Sequence, residues 1–178
     1  MKKAVLISIK PKWCRMILDL VKRYEIRKNR PSGIDLPFTC YIYCTQKKRE
    51  SDILEVTENH FGKEVRQKLN GKIIARFTCD RIEEIPPDEL TEEDLKDTGV
   101  TIFQAQDYAD GETLYKWHIR SLITYQPPLS LNQFVCKKRL STPPMSWCFV
   151  DEKYLPPSKI PDQDIPFAEP DYIGGGSP

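Results

Sequence analysis

Lys3 to Ile9 is apolar on both alternating faces, with Ala4, Val5, Leu6, Ile7 and Ile9 around a single Ser8, which predicts a strand central in its sheet. Pro11 follows, a residue tolerated in the first turn of a helix. Trp13, Met16, Ile17 and Leu20 then recur at helical spacing and leave Lys12, Arg15 and Asp19 on the other face. From Lys22 the period drops to two. Tyr24 and Ile26 alternate with Arg23, Glu25 and Arg27, so a half-buried strand is predicted with its three charged residues on one side.

Asn29 to Pro37 has turn chemistry, and Phe38 to Thr45, rich in aromatic and β-branched residues, reads as the next strand. Residues 53–70 lean towards a helix ended by Asn70-Gly71. Lys72 to Asp80 predicts a further strand. After Pro86-Pro87, Asp88 to Leu95 predicts a short acidic helix whose carboxylates suit its N-terminal end, and Thr101 to Tyr108 a second short helix. A strand is expected within Leu114 to Tyr125, broken at Pro127-Pro128, and a last one over Met145 to Val150. This order predicts an α+β fold, a mixed β-barrel with short helices plugging its ends.

A chain of 178 residues suffices for one domain with a sizeable core, expected over residues 1–150. Beyond it, prolines crowd at 156, 157, 161, 166 and 170 before a terminal Gly174-Gly175-Gly176-Ser177-Pro178. This tail, 151–178, cannot build its own core and is expected to be partly disordered or docked, its end resembling an added linker. No apolar run approaches the roughly 20 residues that span a bilayer, and the start is too quickly interrupted for a signal peptide. A cytoplasmic protein with no membrane association is expected. The six cysteines sit largely in apolar runs, no CxxC pair occurs, and the histidines are two, His60 and His118, so no metal site and no cofactor is expected.

The net charge of +1 conceals segregation. The first 50 residues are strongly basic and residues 83–97 strongly acidic, so one face can attract phosphate while the acidic segment would suit a basic protein partner.

The run Leu6-Ile7-Ser8-Ile9-Lys10-Pro11-Lys12-Trp13, then Ile17-Leu18, then Lys22-Arg23-Tyr24-Glu25-Ile26-Arg27 resembles the opening of ASCH domains of the PUA-like superfamily, in which G-x-K-x-x-E-x-R follows a proline-started helix. The closing Ser146-Trp147-Cys148-Phe149-Val150 is similar to the last strand of phage-type and bacterial members. The motif glycine is replaced by Leu20, so the helix-to-strand junction lacks the residue that most easily adopts a positive φ.

The resemblance implies a PUA-like barrel binding RNA, a modified base or a nucleotide. Lys10, Lys22 and Arg27 would supply positive charge, Glu25 would orient Arg27 or accept from a base or sugar, and Tyr24, Trp13 or Trp147 would stack. Read without it, Glu25 with Lys22 or Arg27 is an ordinary ion pair on a solvated strand face. The resemblance also opens enzymatic readings. Amidohydrolases of this type, acting on acetylated cytidine, use a lysine that corresponds to Lys22 and a threonine that falls where this chain has Glu25. Other ASCH proteins are linked to RNA cleavage, for which His118, Lys22 and Glu25 would serve as acid, base and charge stabiliser. His60 in a polar loop and Cys14 on the basic helix are the remaining candidates, the latter as a thiolate nucleophile.

Overall fold

The computed structural model describes residues 3–46, 52–60, 63–136 and 138–152, with backbone alone at 58–60, 63 and 138. The predicted tail beyond residue 152 lies outside the described residues.

The main sheet is built around β1 (Lys3–Ile9), which pairs parallel with β3 (Phe38–Cys44) and antiparallel with β12 (Trp147–Asp151). Beyond β3 lie β6 (Lys72–Cys79) and then β9 (Arg120–Leu129), giving the order β12-β1-β3-β6-β9. Both faces of β1 are covered, which is why its sequence is apolar throughout. Val5, Ile7 and Ile9 join Cys40, Ile42 and Cys44 in one core, while Ala4 and Leu6 join Tyr41, Tyr43 and Ile73 in another.

The second sheet comprises β2 (Tyr24–Arg27), β8 (Leu114–His118) and β7 (Ile82–Ile85), antiparallel in the order β2-β8-β7. Its inner face adds Trp117 to the first core. Its outer face packs Ile26, Ile85 and Leu114 against Ala105 and Ala109 of α2 (Ile102–Ala109). The other helix, α1 (Pro11–Leu18), drives Cys14 and Ile17 into the first core. Two hairpins complete the chain, β4 (Glu55–His60) with β5 (Lys63–Lys68) and β10 (Val135–Cys136) with β11 (Lys138–Arg139). The molecule is α+β with a mixed sheet, as expected, but among the described residues its strands do not close into a barrel.

Three expectations are corrected. Residues 53–70 form the β4–β5 hairpin instead of a helix, with Glu55 opposite Lys68 and Thr57 opposite Arg66, a ribbon held by backbone pairing with Val56 packed on the first core. Asp88 to Leu95 is a run of turns, not a helix; within it the Asp94 carboxylate accepts from the Thr91 N–H and the Thr91 hydroxyl from the Asp94 N–H, a local side-chain-to-backbone pattern that substitutes for continued helix bonding. Pro127-Pro128 does not break the strand. β9 runs through both to Leu129, at the sheet edge where a missing N–H costs no ladder bond. The helix expected over 101–108 is present as α2, with the Thr101 side chain capping Gln104 N and the Gln104 side chain capping Thr101 N.

The turn from α1 into β2 carries the departure noted at Leu20. Leu20 adopts φ 59°, and the N–H groups of Val21 and Lys22 both donate to Met16 O at 2.9 Å, closing the helix in the manner usually given to glycine. Leu20 is 37 % exposed, so it gains little burial in exchange for a left-handed backbone. Leu20→Gly is expected to stabilise the fold by about 0.5–1 kcal/mol, read as a raised denaturation midpoint; a lowered midpoint would mean that the Leu20 side chain contributes packing here.

Candidate functional site

The period-two alternation of β2 carries Glu25 and Arg27 to the inner face, opposite Trp117 and Tyr115 of β8, and sends Tyr24 and Ile26 outward. The strand is not half-buried: its charged side is covered by β1 and the approach to β12. Lys22 is 1 % exposed, so the ion pair expected on a solvated face is an interior one.

The carboxylate of Glu25 is shared. Its Oε2 lies 3.2 Å from Lys22 Nζ and its Oε1 2.9 Å from Arg27 Nη2. Lys22 Nζ also donates to Thr98 O at 2.6 Å, and Arg27 Nη2 to Ser8 O at 2.7 Å. Arg27 Nη1 reaches Ser146 Oγ at 3.4 Å, while Ser8 Oγ donates to Pro144 O at 2.6 Å. Arg27 Nε is buried with no hydrogen-bond partner among the described residues. Two cations against one carboxylate leave a positive excess at this buried floor.

The loop that corrects the acidic-helix prediction completes the site. Asp97 O accepts from the N–H of Arg23 at 2.7 Å and of Tyr24 at 3.3 Å, which ties residues 95–99 to the head of β2 and delivers the Thr98 carbonyl to Lys22. Gly99, at φ 70°, lies so close to α1 that an added Cβ would come within 2.5 Å of Met16 Cε.

Above this floor opens a cleft of about 930 Å³, within the size range of small-ligand sites. Lys10, Lys22, Glu25 and Arg27, the four charged residues assigned to ligand binding from the sequence, all line it, as do Trp13, Ser8, Ser146 and Lys28. Gln104, Asp107, Tyr108 and Asp110 from α2 and its end form the opposite wall, and Met145 lies fully exposed at the mouth. Ser8, Ser146, Thr98 and Gln104 carried no sequence signal for a site, because their roles depend on strand and loop placement. Burial is the largest influence on the Lys22 ammonium and lowers its pKa below an ordinary lysine; the nearby Glu25 opposes this, and the Arg27 charge pushes it further down.

Tyr24, Trp147 and His118 are not brought into this cleft. Trp147 packs beside Trp117 and Phe149 and donates Nε1–H to Asn29 Oδ1 at 2.6 Å. Tyr24 faces the other side of β2, its ring 5.0 Å from that of His118. His118 Nδ1 lies 2.6 Å from Asp80 Oδ1. The His60 side chain lies outside the described residues. Cys14 is buried with its thiol directed at Ile9 O, and burial pushes that thiol well above its ordinary pKa, the reverse of what a thiolate nucleophile requires.

No protein-family model matches the chain, and no curated protein matches it. Solved structures do. The chain is similar to the ASCH protein from Zymomonas mobilis at TM-score 0.62 and 18 % identity, covering 86 % of this chain and 92 % of that one. Two variants of that protein match alike, a serine-to-alanine variant at TM-score 0.63 and a tyrosine-to-phenylalanine variant at 0.61, both at 18 % identity over 86 % of this chain and 92 % and 94 % of theirs. At this identity the likeness defines the fold alone: the chain has an ASCH-like architecture.

Removing Glu25 would leave Lys22 and Arg27 buried without a counter-charge. Glu25→Ala is expected to destabilise the fold by about 3–5 kcal/mol, measured by chemical denaturation; a loss below about 1 kcal/mol would show that the two cations do not depend on this carboxylate.

Proposed function

We propose that the chain is a binding module for an anionic nucleotide-like ligand, RNA or a modified nucleotide, held in the cleft lined by Lys10, Lys22, Glu25 and Arg27. The observation that supports this most is the composition of the cleft floor: a buried Lys22–Glu25–Arg27 triad carrying one excess positive charge, with the Arg27 Nε–H unused. A buried triad of this kind adds little stability over apolar residues of the same volume. A ligand oxyanion drawn to the excess charge gives the arrangement a purpose that stability does not. Trp13 lines the cleft wall with Lys12 and Lys22 4.5 and 5.4 Å from its ring, so it packs on the cations of the site.

A second reading is favoured by one observation, the lowered pKa of Lys22. An amine that gives up its proton more readily can serve as a general base, so a hydrolase acting on a modified nucleoside or on RNA is the alternative. Glu25 stands where the related amidohydrolases place a threonine, and it is engaged by two cations, so it is not a nucleophile in that scheme. Turnover of a panel of modified nucleosides and short RNAs separates the two readings.

Binding of a nucleoside monophosphate, followed by calorimetry, is expected to weaken at least tenfold in Lys22→Met, which keeps the side-chain volume. It is also expected to weaken as salt rises, since phosphate contacts release counterions. Unchanged affinity in Lys22→Met would place the ligand elsewhere. Because folding lowers the Lys22 pKa, the unfolded chain holds this proton more tightly in the interval below 10.5. The contribution of Lys22 to stability therefore rises with pH across that interval while its charge is lost. Anion affinity is expected to fall there with rising pH, ahead of an ordinary lysine; affinity that stays flat up to pH 10.5 would contradict this.

A further inference from the structure

The outer face of the β2-β8-β7 sheet carries a chain of polar contacts that the cleft does not use. Arg120 Nη1 donates to Asp80 Oδ2 at 3.3 Å, and Asp80 Oδ1 meets His118 Nδ1 at 2.6 Å. The His118 ring packs on Tyr24, whose hydroxyl accepts from Arg81 Nη2 at 2.6 Å. Arg81 Nε and Lys116 Nζ then share the Glu83 carboxylate, each at 2.8 Å. Register explains the assembly: Tyr24 is paired with His118, and Lys116 with Glu83, so all four side chains share one face.

Arg81, Lys116 and Arg120 here face Asp80 and Glu83, and Asp94 also lies within electrostatic reach of Lys116. The two arginines are the accessible members. The Arg120 and Arg81 side chains are 65 % and 53 % exposed, and each spends only part of its five N–H donors on the contacts above. His118, 24 % exposed, has Nδ1 committed to Asp80 Oδ1. Asp80 is held as a carboxylate: burial raises its pKa, but the His118 and Arg120 contacts outweigh that and the net shift is downward.

The chemistry selects the class of ligand. The Tyr24 ring already meets Lys116 at 4.7 Å, Arg81 at 5.9 Å and His118 at 5.0 Å, so it is not a free platform for a base. What remains unfilled is a set of donors suited to oxyanions. Tyr24 is one residue from Glu25 on the same strand, and β2 is the outermost strand of its sheet with the 95–99 loop against its head, so a strand leaving the cleft reaches the outer face by passing over that loop. The separation is on the order of 10–15 Å, from about 3.3 Å per strand residue plus the side-chain lengths. Six nucleotides, about 17 Å at the ~3.4 Å spacing of a stacked strand, cover that span.

We propose that Arg81 and Arg120, set around the His118–Asp80 pair, form a second, sequence-independent station that binds the backbone phosphodiester of a single-stranded nucleic acid whose adjoining nucleotide occupies the cleft. The inference rests on the nucleotide-binding reading of the cleft and adds to it a polymeric ligand with a defined exit path. Phosphate contacts of this kind position a strand without reading its bases.

The test compares two probes, a nucleoside monophosphate that fills the cleft alone and a hexanucleotide RNA long enough to reach both stations, each titrated by calorimetry at several salt concentrations. Wild-type protein is expected to bind the hexanucleotide at least tenfold more tightly than the monophosphate. Arg120→Ala, at a mostly exposed position, is expected to leave monophosphate affinity unchanged and to weaken hexanucleotide binding about three- to tenfold. The slope of log K against log salt should shrink by about 0.7 for each phosphate that is no longer neutralised. Arg81→Ala should act in the same direction, and Arg120→Lys should restore most of the affinity. Hexanucleotide binding no tighter than that of the monophosphate, or unaffected by Arg120→Ala, overturns the second station and leaves the cleft reading standing. Failure of the wild type to bind either probe overturns both.

Discussion

The carboxylate of Glu25 is the contact on which the rest of the site depends. It bridges an ammonium and a guanidinium that are both removed from water, and without it neither cation could be held charged at the base of the cleft. The remaining donors are satisfied by main-chain oxygens, Thr98 O for Lys22 and Ser8 O for Arg27. The triad thus connects three parts of the chain: the head of β2, the 95–99 loop and the end of β1.

That dependence explains features that otherwise look like oddities of the backbone. The left-handed Leu20 turns the chain sharply out of α1, so Lys22 enters the interior within four residues of the helix end. Gly99 lets its loop approach α1 closely enough for Thr98 to serve as an acceptor, and Thr98 is fixed in turn by Leu95 O and Val100 N. Ser8, the one polar residue in the apolar run of β1, is where the strand gives up its carbonyl to Arg27 and its hydroxyl to Pro144 O. Local strain and a polar interruption both serve the burial of charge.

Much of this was legible in the sequence. Pro11 and the spacing of Trp13, Met16 and Ile17 mark α1, and the change of period at Lys22 places Glu25 and Arg27 on one side of β2. The burial of that side was not legible, because it comes from β1 and the approach to β12, distant in sequence. The β4–β5 hairpin was missed since Val56 and Val65 are nearly alone in a polar ribbon and give no period-two signal. The acidic segment read as a helix because its carboxylates suit a helix N-terminus; tertiary bonds from Asp97 to β2 and the Thr91–Asp94 turn decide otherwise. Tyr24 was assigned to the cleft by its nearness in sequence to Lys22, whereas strand alternation sends its ring to the opposite face, beside a His118–Asp80 pair that no local motif announces.

The central claim is that the buried triad forms the floor of an anion-binding cleft. Its most direct test is an NMR titration of isotope-labelled protein with a nucleoside monophosphate, following the amide signals and the indole N–H of each tryptophan. The account expects saturable shifts concentrated at Ser8, Trp13, Lys22, Arg27, Gln104 and Ser146, with the Trp147 indole N–H, held by Asn29 outside the cleft, nearly unmoved. Shifts that avoid these residues, or none at millimolar ligand, would contradict it.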